Sequence, residues 1–125
     1  FEQFFAGNID FVADAIDSTA SKIDLLHECY QRNIPVISSM GTGNKLEPDK
    51  LLLADSSKTH TCPLAKTVRK QLRQAGIEKG IMTVFSQENP VYASREAVPG
   101  SMVFVPASAG LLMASYIVRK LIGKA

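Results

Sequence analysis

Apolar positions in this chain fall into short continuous runs and helically spaced stripes, separated by polar turns. Asp10–Ile16 (Asp-Phe-Val-Ala-Asp-Ala-Ile) is a short, mostly apolar run that stops at Asp17 and Ser18, the pattern of a buried strand leading into a helix. Either of those two oxygens can accept from the unpaired amides of a first helical turn. Ile23, Leu26, His27 and Tyr30 then share one face at helical spacing, and Asn33 and Pro35 close the helix. Pro35–Ser39 predicts a second buried strand, so the first third reads as a right-handed parallel crossover unit. Gly41-Thr42-Gly43-Asn44 reads as a turn and Leu51–Ala54 as a third strand. Thr61-Cys62-Pro63 opens a second helix, since proline is favoured at the first helical position. In that helix Leu64, Val68 and Leu72 line one face, Lys66, Arg69, Lys70 and Arg73 cover the rest, and Gly76 ends it. Met82–Ser86 and Ser101–Val105 read as extended runs joined by a loop containing Pro90, Pro99 and Gly100. Ser108–Ile122 predicts a last helix whose Ala109, Gly110, Ala114 and Ser115 permit close packing on a sheet, with Gly123 closing it.

The expected fold class is therefore α/β, one parallel βαβ unit followed by antiparallel strands and a C-terminal helix packed on a mixed sheet, divided into the βαβ unit (1–39), a crossover loop with a basic helix (40–81), and strands with the C-terminal helix (82–125). A length of 125 residues suits one domain, and 46% apolar with 21% charged residues excludes disordered and fibrous classes. Two cysteines, Cys29 and Cys62, make no disulfide scaffold and point to a reducing, cytoplasmic setting. No apolar run reaches the ~18 residues of a membrane span, and Phe1–Ala6 lack the order of a signal peptide. So small a parallel sheet wants both faces and flanks covered, which calls for partner subunits or further strands.

Charge sharpens this picture. The net of +2 divides into an acidic stretch, residues 1–30 at −5, and a basic one, residues 58–79 at +5. An acidic rim suits a metal or a catalytic acid, and a basic segment suits an anionic partner, although most such charges merely solvate helix faces. Asp17 stands where the first strand ends, the place where open α/β sheets bind ligands, and a hard oxygen there can hold Mg²⁺ against a nucleotide phosphate. The plainer alternative makes it a helix cap. Asp14 can be buried and hydrogen-bonded or can face the same ligand, and Lys22, one turn into the helix, can point toward a phosphate or stay solvated. Cys62 at a helix N-terminus between Lys58 and Lys66 has the surroundings of a nucleophile, or else is a small cap in a loop. His60 could serve it as a base, whereas Cys29 and His27 read as core. No Gly-x-Gly-x-x-Gly, Walker-type loop or zinc spacing occurs.

Asp14-Ala15-Ile16-Asp17-Ser18 with Lys22, then Ile34-Pro35-Val36 and Ser39-Met40-Gly41-Thr42-Gly43-Asn44-Lys45-Leu46-Glu47-Pro48, resembles the ThiF/MoeB/HesA adenylating superfamily. Asp55, Lys58-Thr59, Cys62-Pro63-Leu64-Ala65-Lys66, Arg69 and Leu72-Arg73 resemble its tRNA threonylcarbamoyladenosine dehydratase branch, and Val84–Glu88, Phe104-Val105-Pro106 and Gly110 continue the likeness. The resemblance implies the C-terminal half of a Rossmann-like, ATP-dependent adenylating enzyme, inactive without an upstream half that carries the Gly-rich ATP loop. It implies Asp17 as the Mg²⁺-ATP aspartate, Lys22 beside the nucleotide, and Lys58, Lys66, Arg69, Lys70 and Arg73 as contacts to tRNA phosphates. A homodimer is also implied. Ser18 stands where relatives that activate ubiquitin-like proteins usually carry Asn, which favours the tRNA branch. Cys62 falls where those relatives often place an acceptor cysteine, so a ubiquitin-like or sulfur-carrier substrate with a sulfur-transfer partner is the alternative. A non-enzymatic dimerising or RNA-binding fragment is the third reading.

Overall fold

The computed structural model describes residues 1–89 and 103–123. Three α-helices and four strands appear among them, in the order β1 (Val12–Asp14), α1 (Thr19–Gln31), β2 (Val36–Ser39), β3 (Leu51–Asp55), α2 (Pro63–Gln74), β4 (Met82–Ser86) and α3 (Phe104–Leu121). The strands form one sheet in the order β1-β2-β4-β3. β1, β2 and β4 run parallel, with Val12 opposite Val36 and Ile37 opposite Met82, and β3 runs antiparallel to β4.

Helices cover both faces, as a parallel sheet requires. On one side Leu25, Leu26 and Cys29 of α1 and Ala65, Val68 and Leu72 of α2 meet Val12, Val36 and Phe85. On the other, Val105, Ala109 and Met113 of α3 recur at every fourth position and pack on Ile37, Leu51 and Val84. Among the described residues no helix is long and apolar enough to cross a membrane.

The parallel crossover, the antiparallel strands on a mixed sheet and the Met82–Ser86 strand match expectation, but two elements differ. The antiparallel pair is β3 with β4, and β4 lies between β2 and β3. The expected strand Ser101–Val105 is overturned in its described part, because Val103 is in a turn and α3 starts at Phe104. The β-branched and aromatic residues there favour extended structure locally. Burial of Val105 with Ala109 and Met113 overrides that preference, and Pro106 fits the first helical turn, where its missing N–H would have no partner anyway. Ser101, Met102 and the loop with Pro90, Pro99 and Gly100 lie outside the described residues.

The second difference is the buried stripe of α1, which is Lys22, Leu25, Leu26 and Cys29 rather than Ile23, Leu26, His27 and Tyr30. Tyr30 is exposed, and Ile23 and His27 are half-buried. Asn33 adopts φ 56°, the left-handed conformation that ends helices, and Gly76 does so after α2 at φ 88°.

Candidate functional site

The carboxyl ends of β1 and β2 open onto a cleft of about 320 Å³. One lip is Ala15-Ile16-Asp17, the other Ser39–Gly43, and Leu64 of α2 with Pro106, Gly110 and Met113 of α3 complete it. The N-cap of α1 is Ser18, whose hydroxyl accepts from the Ser21 amide at 3.4 Å. Asp17 is therefore not the cap: it is an exposed residue on the lining of the cleft.

Beneath the cleft lies a buried ion pair. Lys22 Nζ is 2.8 Å from Asp14 Oδ2, with the two residues 0% and 1% exposed. Asp14 Oδ2 also accepts from the Ser38 hydroxyl at 2.6 Å, and Asp14 Oδ1 accepts from the Ile16 amide at 2.9 Å. The ammonium donates further to the Ser39 carbonyl at 2.9 Å and, more weakly, to Ser38 Oγ at 3.4 Å. An ammonium has three protons, so these acceptors use all of them. The expectation that Lys22 reaches a phosphate is corrected here: its charge is held inside, against Asp14. The signal was present in the sequence, since positions 22, 25, 26 and 29 share one helical face and place Lys22 on the apolar side.

The far end of the second lip is fastened by two residues to which the sequence patterns assigned no role. Lys45 is buried and donates to the Gly41 carbonyl at 2.9 Å. Glu88 accepts from the amides of Leu46 and Glu47 at 2.8 Å each. Gly41 itself runs close to the start of α2, where a Cβ would lie 3.6 Å from Leu64 and 3.7 Å from Cys62 Sγ.

Cys62 is the residue preceding α2, but its thiol makes no capping hydrogen bond and is buried in the core beside Val68 and Phe85. The fold therefore presents this thiol neither as an accessible nucleophile nor as a side-chain cap. His60 does not approach it as a base; its Nδ1 pairs with Thr61 Oγ1 at 2.9 Å and its ring packs edge-on against Phe85. Cys29 is fully buried, and desolvation, reinforced by the charges of Asp14 and Glu28, pushes its thiol up to about 11. Asp55, at the end of β3, behaves oppositely. Burial works to raise its carboxyl, but the amides of Ser57 and Gly80, the Ser57 hydroxyl and Lys58 together hold it below the usual value.

Of the basic residues, Lys58, Lys66, Lys70 and Arg73 are exposed. Lys66 and Lys70, one turn apart on α2, line a shallow groove of about 480 Å³ with Pro63, Thr67, Gln71 and Gln74. Arg69 is corrected: half-buried, it donates through Nη1 to the Thr59 carbonyl at 2.6 Å and to Thr59 Oγ1 at 2.8 Å, clamping the loop before α2. Among the described residues no group of three or more His, Cys, Asp or Glu could enclose a metal. A lone carboxylate in an open cleft still fits Mg²⁺, which is commonly held by one or two carboxylates plus substrate phosphates.

This fold is that of a known class. A family model described as the ThiF family matches residues 1–125, and the chain belongs to that family. It is 44% identical over 139 residues to the tRNA threonylcarbamoyladenosine dehydratase of Bacillus subtilis (strain 168), covering 98% of this chain and 54% of that protein. It is 46% identical over 84 residues to tRNA threonylcarbamoyladenosine dehydratase 2 of Saccharomyces cerevisiae, covering 67% of this chain and 19% of that one. The crystal structure of E. coli tRNA N6-threonylcarbamoyladenosine dehydratase, TcdA, in complex with AMP matches with a TM-score of 0.89 at 30% identity, over 98% of this chain and 52% of that chain. The complex of the same enzyme with ATP matches at 0.86 and 29%, with the same coverage. The architecture is thus the ThiF-type, Rossmann-like one, and the chain spans about half the length of its Bacillus and E. coli relatives.

Proposed function

We propose that this chain is the part of an ATP-dependent enzyme that holds metal and nucleotide while the carboxylate of threonylcarbamoyladenosine in tRNA is adenylated. Loss of AMP then closes a ring, so the net change on the nucleoside is dehydration. The observation that carries the reading is Asp17: with Ser18 as the helix cap, this exposed acid lines the cleft at the carboxyl ends of β1 and β2. Mg²⁺ bound there would supply neutralisation of phosphate charge. The chain's own contribution is positional, since Asp17 and the Ser39–Gly43 lip fix where the phosphates lie.

The exposed face of α2 supports a nucleic-acid substrate. Leu64 lines the cleft and its neighbour Pro63 lines the groove of Lys66 and Lys70, so a basic surface begins where the cleft ends. This reading includes a homodimer and a cytoplasmic setting. The carrier-protein alternative requires Cys62 as acceptor, and burial of that thiol weighs against it.

The test uses the full-length gene product with ATP and threonylcarbamoyl-modified tRNA. Mass spectrometry of the digested nucleosides should show loss of one water, and Asp17→Asn should remove at least nine tenths of the rate while leaving the melting midpoint unchanged. A folded, full-length protein that yields no dehydrated nucleoside would refute the function.

A further inference from the structure

The lips of the cleft belong to different strands, yet both are fastened to the same ion pair. Asp14 Oδ1 holds the Ile16 amide, immediately before Asp17, and Lys22 Nζ holds the Ser39 carbonyl at the root of the opposite lip. Ser38 joins the two strands by donating 2.6 Å to Asp14 Oδ2. We infer that Asp14, Lys22 and Ser38 are positioning residues that aim the Asp17 carboxylate at the metal–nucleotide site and set the gap between the lips. The inference rests on the proposed role of Asp17 and extends it to side chains that touch no ligand.

Three physical points support it. A buried ion pair is a poor device for stability, because desolvation of two charges offsets their attraction and well-packed apolar replacements often serve as well. Its retention here therefore calls for another role, and the geometry supplies one. Asp14 turns the chain sharply after β1: its carboxylate replaces the ladder partner that the Ile16 amide would otherwise have in a continuing strand, so the strand stops and Asp17 is delivered at the rim. Lastly, the network leaves neither charge available to the ligand. Both Asp14 oxygens and all three ammonium protons are engaged, which makes the pair a rigid support. Groups that orient a metal ligand are commonly worth about 10–100-fold in metal affinity.

The deciding measurement is ATP affinity by calorimetry on the full-length gene product, with and without magnesium; the ratio of the two dissociation constants reports on Asp17 and needs no turnover. Asp14→Val combined with Lys22→Met removes both charges together and should preserve the circular dichroism spectrum and a cooperative melt. The magnesium-dependent strengthening should fall at least tenfold, with magnesium-free affinity altered far less. Ser38→Ala is the milder variant, which decides the matter if the double variant does not fold, and should lower the ratio about threefold or more. A folded variant that keeps the full ratio would overturn the positioning role while leaving Asp17 intact. An unsubstituted protein that binds ATP equally with and without magnesium would instead remove the reading of Asp17, and this inference with it.

Discussion

At the first turn of α1 the hydroxyl of Ser18 accepts from the Ser21 amide and caps the helix, which leaves the neighbouring acid Asp17 on the lining of the cleft. Neighbouring acids diverge in the same way: Asp14, three residues earlier, is wholly engaged by Lys22, Ser38 and the Ile16 amide. Residue-scale electrostatics also give a pH prediction at Cys29. Its thiol is raised to about 11 in the folded chain from an ordinary 9.0, so the folded state binds the proton more tightly than the unfolded one. Its contribution to stability is therefore fully present below about pH 9 and is lost as pH rises toward 11, with a slope of about 1 kcal/mol per pH unit. Urea unfolding at pH 8, 9 and 10 should show this decline in the native sequence and a flatter profile in Cys29→Ala. Equal slopes would mean that the thiol titrates normally in the fold.

At the scale of elements, the parallel crossover, α2 and β4 were legible because each carries an unmixed local signal: an apolar run ended by polar residues, a proline at a helix start, a glycine or asparagine at a helix end. What misled was competition between local preference and packing. Phe104 and Val105 favour strand locally, but the stripe of Val105, Ala109 and Met113 is only satisfied by a helix lying across the sheet. The site was partly legible. Asp17 follows from the strand-end rule, whereas the Asp14–Lys22 pair joins residues eight positions apart and needs Ser38 from another strand to make sense. Arg69 shows the same limit on α2, since composition alone cannot separate a clamp from a surface cation. Lys66→Ala and Lys70→Ala should each weaken tRNA binding and reduce the salt slope of log affinity by about 1, with little effect on melting. Arg69→Ala should instead lower the melting temperature by freeing the loop at Thr59, and its salt slope should stay near that of the parent. Filter binding across a salt series, beside thermal melts, separates the two behaviours.

Across the whole molecule, helices cover both faces of the four-stranded sheet, while at its rim the carboxyl ends of β1 and β2 stay open to a cleft that brings the exposed Asp17 close to the buried ion pair and to Leu64 at the start of α2. The interior placement of two cations has a practical corollary. Lys22 and Lys45 are 0% and 2% exposed, whereas Lys50, Lys58, Lys66, Lys70, Lys79 and Lys120 face solvent. An acylating reagent applied briefly to the native protein should mark the outer amines within minutes and leave Lys22 and Lys45 untouched until denaturant is added; prompt acylation of Lys22 would contradict the fold. Because those two amines stay silent for reasons that have nothing to do with ligand, they provide a built-in calibration: under the proposed function, a further amine that falls silent only when tRNA is added would mark where the nucleic acid shields the surface, so a footprint could be mapped peptide by peptide.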